Sequence, residues 1–143
     1  MLKSESFIEQ RIIWNAGRHN LPAGNCFEFD QLISSDPSHL SIIESNHLGK
    51  PILAFLHDKD NWSVLGTKGI SGRLEKDYRA VEYAEILDLN GFEPLRLKQT
   101  EKKNLSILKV KTIKSEIEFK TKEGGEFFAF WNIALMLFRM SSK

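Results

Sequence analysis

Cysteine is nearly absent from this sequence, and its charges of the two signs almost cancel. The single cysteine, Cys26, has no disulfide partner within the chain, and a cysteine-based zinc site needs several such ligands. The 20 Lys and Arg residues stand against 19 Asp and Glu. A net charge of +1 gives no overall field that would attract nucleic acid or an anionic membrane. We therefore predict no disulfide framework, no metal site, no cofactor and no nucleic-acid partner.

A long apolar run is also missing. The most apolar stretch, residues 127–138, is interrupted by Asn132, and it is too short for a membrane helix of about 20 residues. The first residues lack the unbroken apolar core of a signal peptide, because Glu5, Glu9 and Arg11 interrupt it. We therefore expect no membrane span and a cytoplasmic location.

The length and composition are those of one folded domain. The chain has 143 residues, of which 41% are hydrophobic and 27% are charged, so it can bury a core. Residues 1–60 carry 5 basic and 8 acidic side chains, a balance of −3, whereas residues 61–143 carry 15 and 11, a balance of +4. We predict a single domain over residues 1–143, with a helical part in residues 1–49 and a sheet followed by a helix in residues 50–143.

Two helices are predicted in the N-terminal part. The first covers residues 6–16, where Ser6 and Glu9 match a capping box and Gly17 follows the last turn. A second helix over residues 36–46 begins with an Asp-Pro pair, which is typical of a helix start. The apolar residues of the first helix recur at helical spacing, namely Ile8, Ile12 and Ala16.

From residue 50 onward the hydrophobic pattern changes to that of strands. Residues 51–57 form an apolar run that a central strand would tolerate. In residues 79–87, 105–111 and 116–121, apolar and polar residues alternate with a period of two, which suits antiparallel strands that have one face in water. A polar turn at residues 58–61 separates the first two strands, so this pair is predicted to form a hairpin. The predicted strands cover residues 51–57, 62–67, a segment starting at 69, 79–87, 95–97, 105–111 and 116–121.

The last predicted helix, over residues 125–139, is apolar around most of its circumference. Only Asn132 and Arg139 mark a narrow polar stripe. A helix of this kind is normally buried on more than one side, so we expect it to close the open end of a curved sheet. The alternative is that part of it forms a homodimer or partner interface.

The order of these elements resembles the pleckstrin-homology-like (PH-like) domain in its bacterial form. The resemblance covers residues 50–140 and rests on the segments ILAF (52–55), WSVLGTKGI (62–70), VEYAEI (81–86) and IEFKTKEGG (117–125). It implies an α+β fold in which a bent antiparallel sheet, or a partly open barrel, is capped by the apolar C-terminal helix. The family includes both lipid-headgroup binders and protein-binding modules, so the fold alone does not select a function.

The first hairpin turn favours protein binding over lipid binding. Phosphoinositide-binding members place several Lys and Arg around this turn to hold phosphates. Here the turn is Asp58, Lys59, Asp60 and Asn61, with two acids and one base. A binder of anionic lipid or phosphate headgroups is the alternative, and it would use Lys68, Arg73 and Lys76.

Catalytic patterns are weak. His57 with Asp58 and Asp60 has the groups for acid–base chemistry, and Cys26 with a distant His has those for a nucleophile pair. A polar turn and a small buried residue are the preferred interpretations of these two features. The glycine-rich segment at residues 66–72 lacks the spacing of a phosphate loop. A small hydrolase using His57 and Asp60 is kept as a further alternative, but we expect no enzyme.

The favoured hypothesis is a non-catalytic, cytoplasmic protein-binding module. A small antagonist, such as an immunity protein that neutralises a toxin, is one form of it. The predicted partner site is Asp58, Lys59, Asp60 and Asn61, together with the acidic N-terminal part.

Overall fold

The computed structural model describes residues 4–35, 48–58, 60–90 and 106–141. The predicted helix over residues 36–46, the predicted strand at 95–97 and Lys59 lie outside these ranges. The elements in chain order are α1 (Glu5–Arg18), β1 (Cys26–Glu28), α2 (Phe29–Ser35), β2 (Pro51–Asp58), β3 (Asn61–Gly66), β4 (Gly69–Leu74), β5 (Asp77–Glu82), β6 (Ile86–Asn90), β7 (Ile107–Thr112), β8 (Glu116–Lys120) and α3 (Gly125–Ser141).

The described strands form two antiparallel sheets. The larger sheet has five strands in the order β1-β2-β3-β4-β5, and the smaller has three in the order β6-β7-β8. Neighbours in each sheet are consecutive among the described strands. Short turns join β2 to β3, β3 to β4, β4 to β5 and β7 to β8, whereas longer stretches of chain separate β1 from β2 and β6 from β7. With helices at both ends of the described chain, this architecture confirms the predicted α+β class. The two sheets do not close into a barrel.

The prediction of one strand over residues 79–87 was wrong, because a short 3₁₀ turn divides it. β5 ends at Glu82, and Tyr83–Glu85 form the turn that leads into the smaller sheet. The backbone N–H of Glu82 donates to the carboxylate of Glu85 at 2.9 Å. The Tyr83 hydroxyl donates to the carbonyl oxygen of Gly66 at 2.8 Å inside the protein. These two bonds satisfy polar groups where the strand bends, so the chain can move from one sheet to the other at this point.

The two sheets face each other across small side chains. Residues directly opposite in an antiparallel pair lie on the same face, so the pairing of Ser63 with Gly72 places both on the inner side. The Ser63 hydroxyl donates to the carbonyl oxygen of Lys120 in β8 at 2.7 Å. Phe119, also in β8, lies directly over Gly72. β8 therefore packs against the inner face of β3 and β4.

Among the described residues, the larger of two apolar clusters joins both sheets to α1 and α3, and the smaller one packs α2 against β2 and β3. The fully buried members of the larger cluster include Phe55 in β2 and Phe130 in α3, whose rings meet edge to face at 5.1 Å. Five further α3 residues are buried in the same way, whereas Asn132 and Arg139 are exposed as predicted. No helix among the described residues is long and apolar enough to cross a membrane. The buried side chains of α3 are Phe127, Ala129, Phe130, Ile133, Ala134 and Leu137.

Helix α1 begins earlier than predicted, so the predicted capping box at Ser6 and Glu9 was wrong. Ser4 is the N-cap residue, and its hydroxyl accepts the backbone N–H of Phe7 at 3.2 Å. Glu9 does not cap the helix; its carboxylate forms an ion pair with Nζ of Lys50 at 3.2 Å. The carboxylate of Glu5 accepts hydrogen bonds from the Thr67 hydroxyl at 2.7 Å and from the backbone N–H of Lys50 at 3.0 Å. The first turns of α1 are thus attached to the larger sheet through carboxylates.

Two glycine substitutions should act in opposite directions. A Cβ at position 72 would overlap the carbonyl oxygen of Trp62 and lie 3.3 Å from the ring of Phe119. We therefore expect Gly72→Ala to lower the free energy of unfolding by about 1–3 kcal/mol. Gly17 lies in α1 with open space around its Cβ position, so Gly17→Ala should raise it by about 0.5–1 kcal/mol. Chemical denaturation of the two variants checks both; a neutral Gly72→Ala would contradict the packing described above.

Candidate functional site

Two turns lie side by side at one end of the larger sheet. β2 ends at Asp58 and β3 begins at Asn61, and β4 and β5 are joined at residues 75–76. Because β3 leads away from the first turn and β4 leads back, both turns lie at the same end. The backbone N–H of Lys76 donates to the carbonyl oxygen of Asp60 at 3.1 Å. The carboxamide oxygen of Asn61 accepts the backbone N–H of Glu75 at 2.9 Å.

Asp58 organises the first of these turns. Its carboxylate accepts the backbone N–H of Asp60 at 2.8 Å and the side-chain N–H of Asn61 at 3.0 Å. The bond from the Asp60 backbone, followed by that from Asn61, lowers the pKa of the Asp58 carboxyl below its usual value. Asp58 therefore stays ionised in neutral solution. The side chains of Asp58 and Asn61 mainly hold the two turns together and offer fewer free groups to a partner than the sequence pattern suggested.

The second turn has an unusual backbone. Its two central residues, Glu75 and Lys76, have φ values of 52° and 77°. A two-residue hairpin loop with positive φ at both positions corresponds to a type I′ turn, which normally takes Asn and Gly because side chains clash there. For ordinary L-residues the left-handed conformation costs about 1–2 kcal/mol each. Two charged side chains are thus held in a strained turn, supported by the bonds from the first turn.

The end of the sheet formed by the two turns is acidic, and we call its four carboxylates, Asp58, Asp60, Glu75 and Asp77, the acidic tip. Three of the four residues are exposed and Asp60 is partly buried. Lys76 is the one Lys or Arg among the described residues of the two turns. Sequence reasoning found the half at residues 58–61 but missed Glu75 and Asp77 as members of the site. The equal lengths of β3 and β4 were the available signal, because they return the chain to the same end.

The three residues predicted for headgroup binding do not come together. Lys68 lies in the turn between β3 and β4, at the opposite end of strands six residues long, which places it about 20 Å from Lys76. There it lines a groove of about 300 Å³ between the larger sheet, the 3₁₀ turn and the end of α3. Lys76 is next to the acidic tip, and Arg73 lies in β4, one residue from the same end.

The surroundings of the residues predicted for catalysis, His57 and Cys26, do not favour a catalytic role. Nδ1 of His57 lies 3.2 Å from the Asp58 carboxylate; within residues 4–35, 48–58, 60–90 and 106–141, no hydroxyl or thiol is hydrogen-bonded to His57. Cys26 is 1% exposed, and burial, with a smaller effect of Glu126, raises the pKa of its thiol to about 12. Nowhere in the described part of the chain do three or more His, Cys, Asp or Glu side chains form a group that could hold a metal ion.

Comparisons with protein-family models, with curated proteins and with solved structures find no match for this chain.

The strain in the second turn can be measured. Lys76→Gly removes the Cβ that is unfavourable at a φ of 77°, so the free energy of unfolding should rise by about 1 kcal/mol. Lys76→Ala is the matched control, because it removes the charged side chain but keeps the Cβ. Thermal unfolding at low protein concentration should separate the two, with a melting temperature higher by about 3–5 °C for the glycine variant. Equal melting temperatures for both variants would rule out backbone strain at this position.

The burial of Cys26 predicts an inert thiol. At pH 8 a pKa of about 12 leaves roughly a thousandfold less thiolate than the ordinary value of about 9. We expect no measurable reaction with an aromatic disulfide reagent in the native protein and full reaction of one thiol after denaturation. Rapid native reaction would restore Cys26 as a candidate nucleophile.

Proposed function

We propose that this chain is a non-catalytic protein-binding module of the PH-like type, which binds a positively charged surface of a protein partner through its acidic tip. The observation that carries the proposal is that hydrogen bonds join the two turns, so that four carboxylates, three of them exposed, lie at the same end of the larger sheet. The order of four strands, three strands and an apolar helix from β2 to α3 supports the PH-like assignment. The expected location is the cytoplasm.

Rigidity supports a role in binding. A flexible loop loses conformational entropy when it binds, whereas a loop already fixed in its bound shape loses little. The bonds from Asn61 to both turns hold the backbone of the tip before any partner arrives. Glu75 and Lys76, the two residues of the second turn with positive φ, are both exposed to solvent. Strain that persists at an exposed turn is often associated with function.

Charge favours a protein partner over an anionic headgroup. The acidic tip would repel a phosphate group from Lys76, and Lys68 is too distant to contribute to the same site. Electrostatic attraction of a basic surface would accelerate association and fix its orientation. A small antagonist that neutralises a toxin with a basic surface is the form of this function that we favour.

A homodimer through α3 is the alternative partner. The apolar side chains of α3 that are not fully buried, such as Trp131 and Phe138, still pack against the core. Among the described residues the large apolar side chains that are exposed lie outside α3. This leaves α3 less apolar area for a second copy than its sequence suggests, so the acidic tip is the stronger candidate.

Reversal of charge at the tip tests the proposal. The double variant Asp60→Lys/Asp77→Lys replaces two carboxylates of the tip. Neither carboxylate has a hydrogen bond to another described side chain. Affinity for a hexalysine peptide should fall roughly tenfold, since each exposed ion pair contributes about 0.2–1 kcal/mol. The matched control is Asp88→Lys with Glu123→Lys, which makes the same change of charge at exposed positions away from the tip.

The measurement is a titration of ¹⁵N-labelled protein with the peptide, followed by backbone amide shifts. We expect the shifts at residues 58–61 and 74–78, weakening as salt rises. The same two double variants should then be used as bait in the native host, followed by mass spectrometry. A partner retained by the wild type and the control, but lost by the tip variant, would support the proposal. Equal peptide binding by all three proteins would reject the tip as the site.

A further inference from the structure

Three side chains form a row across the outer face of the larger sheet, one residue inside the acidic tip. Trp62 in β3 is paired with Arg73 in β4, and Arg73 is paired with Tyr78 in β5. Residues opposite each other in antiparallel strands share a face, so the three side chains are neighbours. We call Trp62, Arg73 and Tyr78 the outer row.

The two rings of the outer row are close to each other. β3 and β5 are separated by two strand spacings, which amount to about 9.6 Å. The ring centroids of Trp62 and Tyr78 are only 6.4 Å apart, so both rings approach each other above β4. Arg73 is the β4 residue paired with both Trp62 and Tyr78, so its side chain begins between the two rings. Tyr78 is 39% exposed, so the row reaches the surface.

Two N–H groups of the outer row have no acceptor in the described part of the chain. Trp62 is 4% exposed, and its Nε1 is buried without a hydrogen-bond partner. Nε of Arg73 is also buried and unpartnered. Within the described ranges Arg73 makes no ion pair. Its two terminal nitrogens are not among the buried unpartnered atoms, so they reach solvent while the inner part of the guanidinium is covered.

A partly buried guanidinium that makes no ion pair with a described residue is suited to a carboxylate. The planar group presents parallel N–H donors that match the two oxygens of a carboxylate, and the bonds are stronger because both groups are charged. A partly desolvated guanidinium is also less stable without an acceptor than with one. The four carboxylates of the tip are close by, so a singly charged carboxylate is repelled less here than a phosphate with two charges.

We propose that Arg73 binds a single carboxylate of the protein partner, with Trp62 and Tyr78 holding its guanidinium in place. This inference rests on the proposed function and makes it more specific, because the partner surface would then present an acidic residue among basic ones. Basic groups of the partner contact the acidic tip, and the acidic residue reaches the outer row one step inside it. The alternation of charge would fix the register of the interface.

The test uses the arginine and indole N–H signals of the ¹⁵N-labelled protein at pH 6.5, with acetate as the probe and chloride at equal ionic strength as the reference. We expect acetate to shift the Nε–H signal of Arg73 and the indole signal of Trp62, and to leave the Nε–H signal of Arg139 on α3 unchanged. Arg73→Gln should weaken the acetate response of the Trp62 indole roughly tenfold. Arg73→Lys, which keeps the charge but loses the planar donors, should also weaken it.

The control variant is Arg139→Gln, which removes an exposed arginine far along the chain and should leave the response intact. A peptide Lys-Lys-Glu-Lys-Lys should bind more tightly than Lys-Lys-Gln-Lys-Lys to the wild type, and equally to Arg73→Gln. Acetate shifts no larger than those of chloride, or a Trp62 response unchanged in Arg73→Gln, would overturn the inference. A response to inorganic phosphate at lower concentration than to acetate would also overturn it, in favour of a phosphate ligand.

Failure of this inference can be distinguished from failure of the proposed function. Suppose that the two peptides bind equally to the wild type and that both bind less tightly to the tip variant. The acidic tip is then supported as a binding site, and the role of Arg73 is rejected. If acetate binds at Arg73 but charge reversal at the tip has no effect on peptide binding, the site at Arg73 stands and the tip is rejected.

Discussion

The contact between the two sheets at Ser63 and Gly72 is the constraint on which the other features depend. A hydroxyl and a glycine leave room for β8 to lie against β3 and β4, and the hydroxyl bonds to the backbone of β8. The sheets are thereby held together near the acidic tip. The same core includes the large side chains of α3, among them Phe130, which packs on Phe55 opposite Ser63. A helix that is apolar nearly all round is stable there because several elements cover it.

The arrangement of the site follows from this constraint. β3 and β4 must keep their register for Ser63 and Gly72 to stay opposite each other. The same register places Trp62 opposite Arg73. It also places the two turns at the same end of the sheet. A shift by one residue would turn the outer row inward. The acidic tip and the outer row are therefore fixed by the packing of the opposite face of the same strands.

The hydrophobic pattern was sufficient for several elements. An apolar run predicted β2, the stretch after the polar turn predicted β3, and alternation predicted β7 and β8. Helical spacing predicted the buried side of α1 at Ile12 and Ala16. The pattern was insufficient where hydrogen bonds and ion pairs between residues far apart in the sequence determine the structure. Ser4, not Ser6, caps α1, and the capping pattern around Ser6 carries no information about Lys50 or Thr67, with which Glu9 and Glu5 interact. The bend at Tyr83 depends on a bond to Gly66 that no local pattern encodes.

The candidate site shows the same limit. Asp58 to Asn61 stood out as a polar turn between apolar strands, and half of the tip was therefore predictable. Glu75 and Asp77 joined it only when strand pairing was known, because sequence separation hides their proximity. Total charge was equally uninformative: a chain of net charge +1 has a locally acidic end because its basic residues lie elsewhere.

The burial of the single cysteine has a practical consequence for the study of this protein. A chain whose native thiol is covered and protonated behaves toward thiol reagents as if it had no cysteine. A cysteine introduced at an exposed position would then be the one reactive thiol of the folded protein. Spectroscopic labels and crosslinkers can therefore be attached at chosen positions without first removing Cys26, which leaves the packing of β1 against β2 undisturbed.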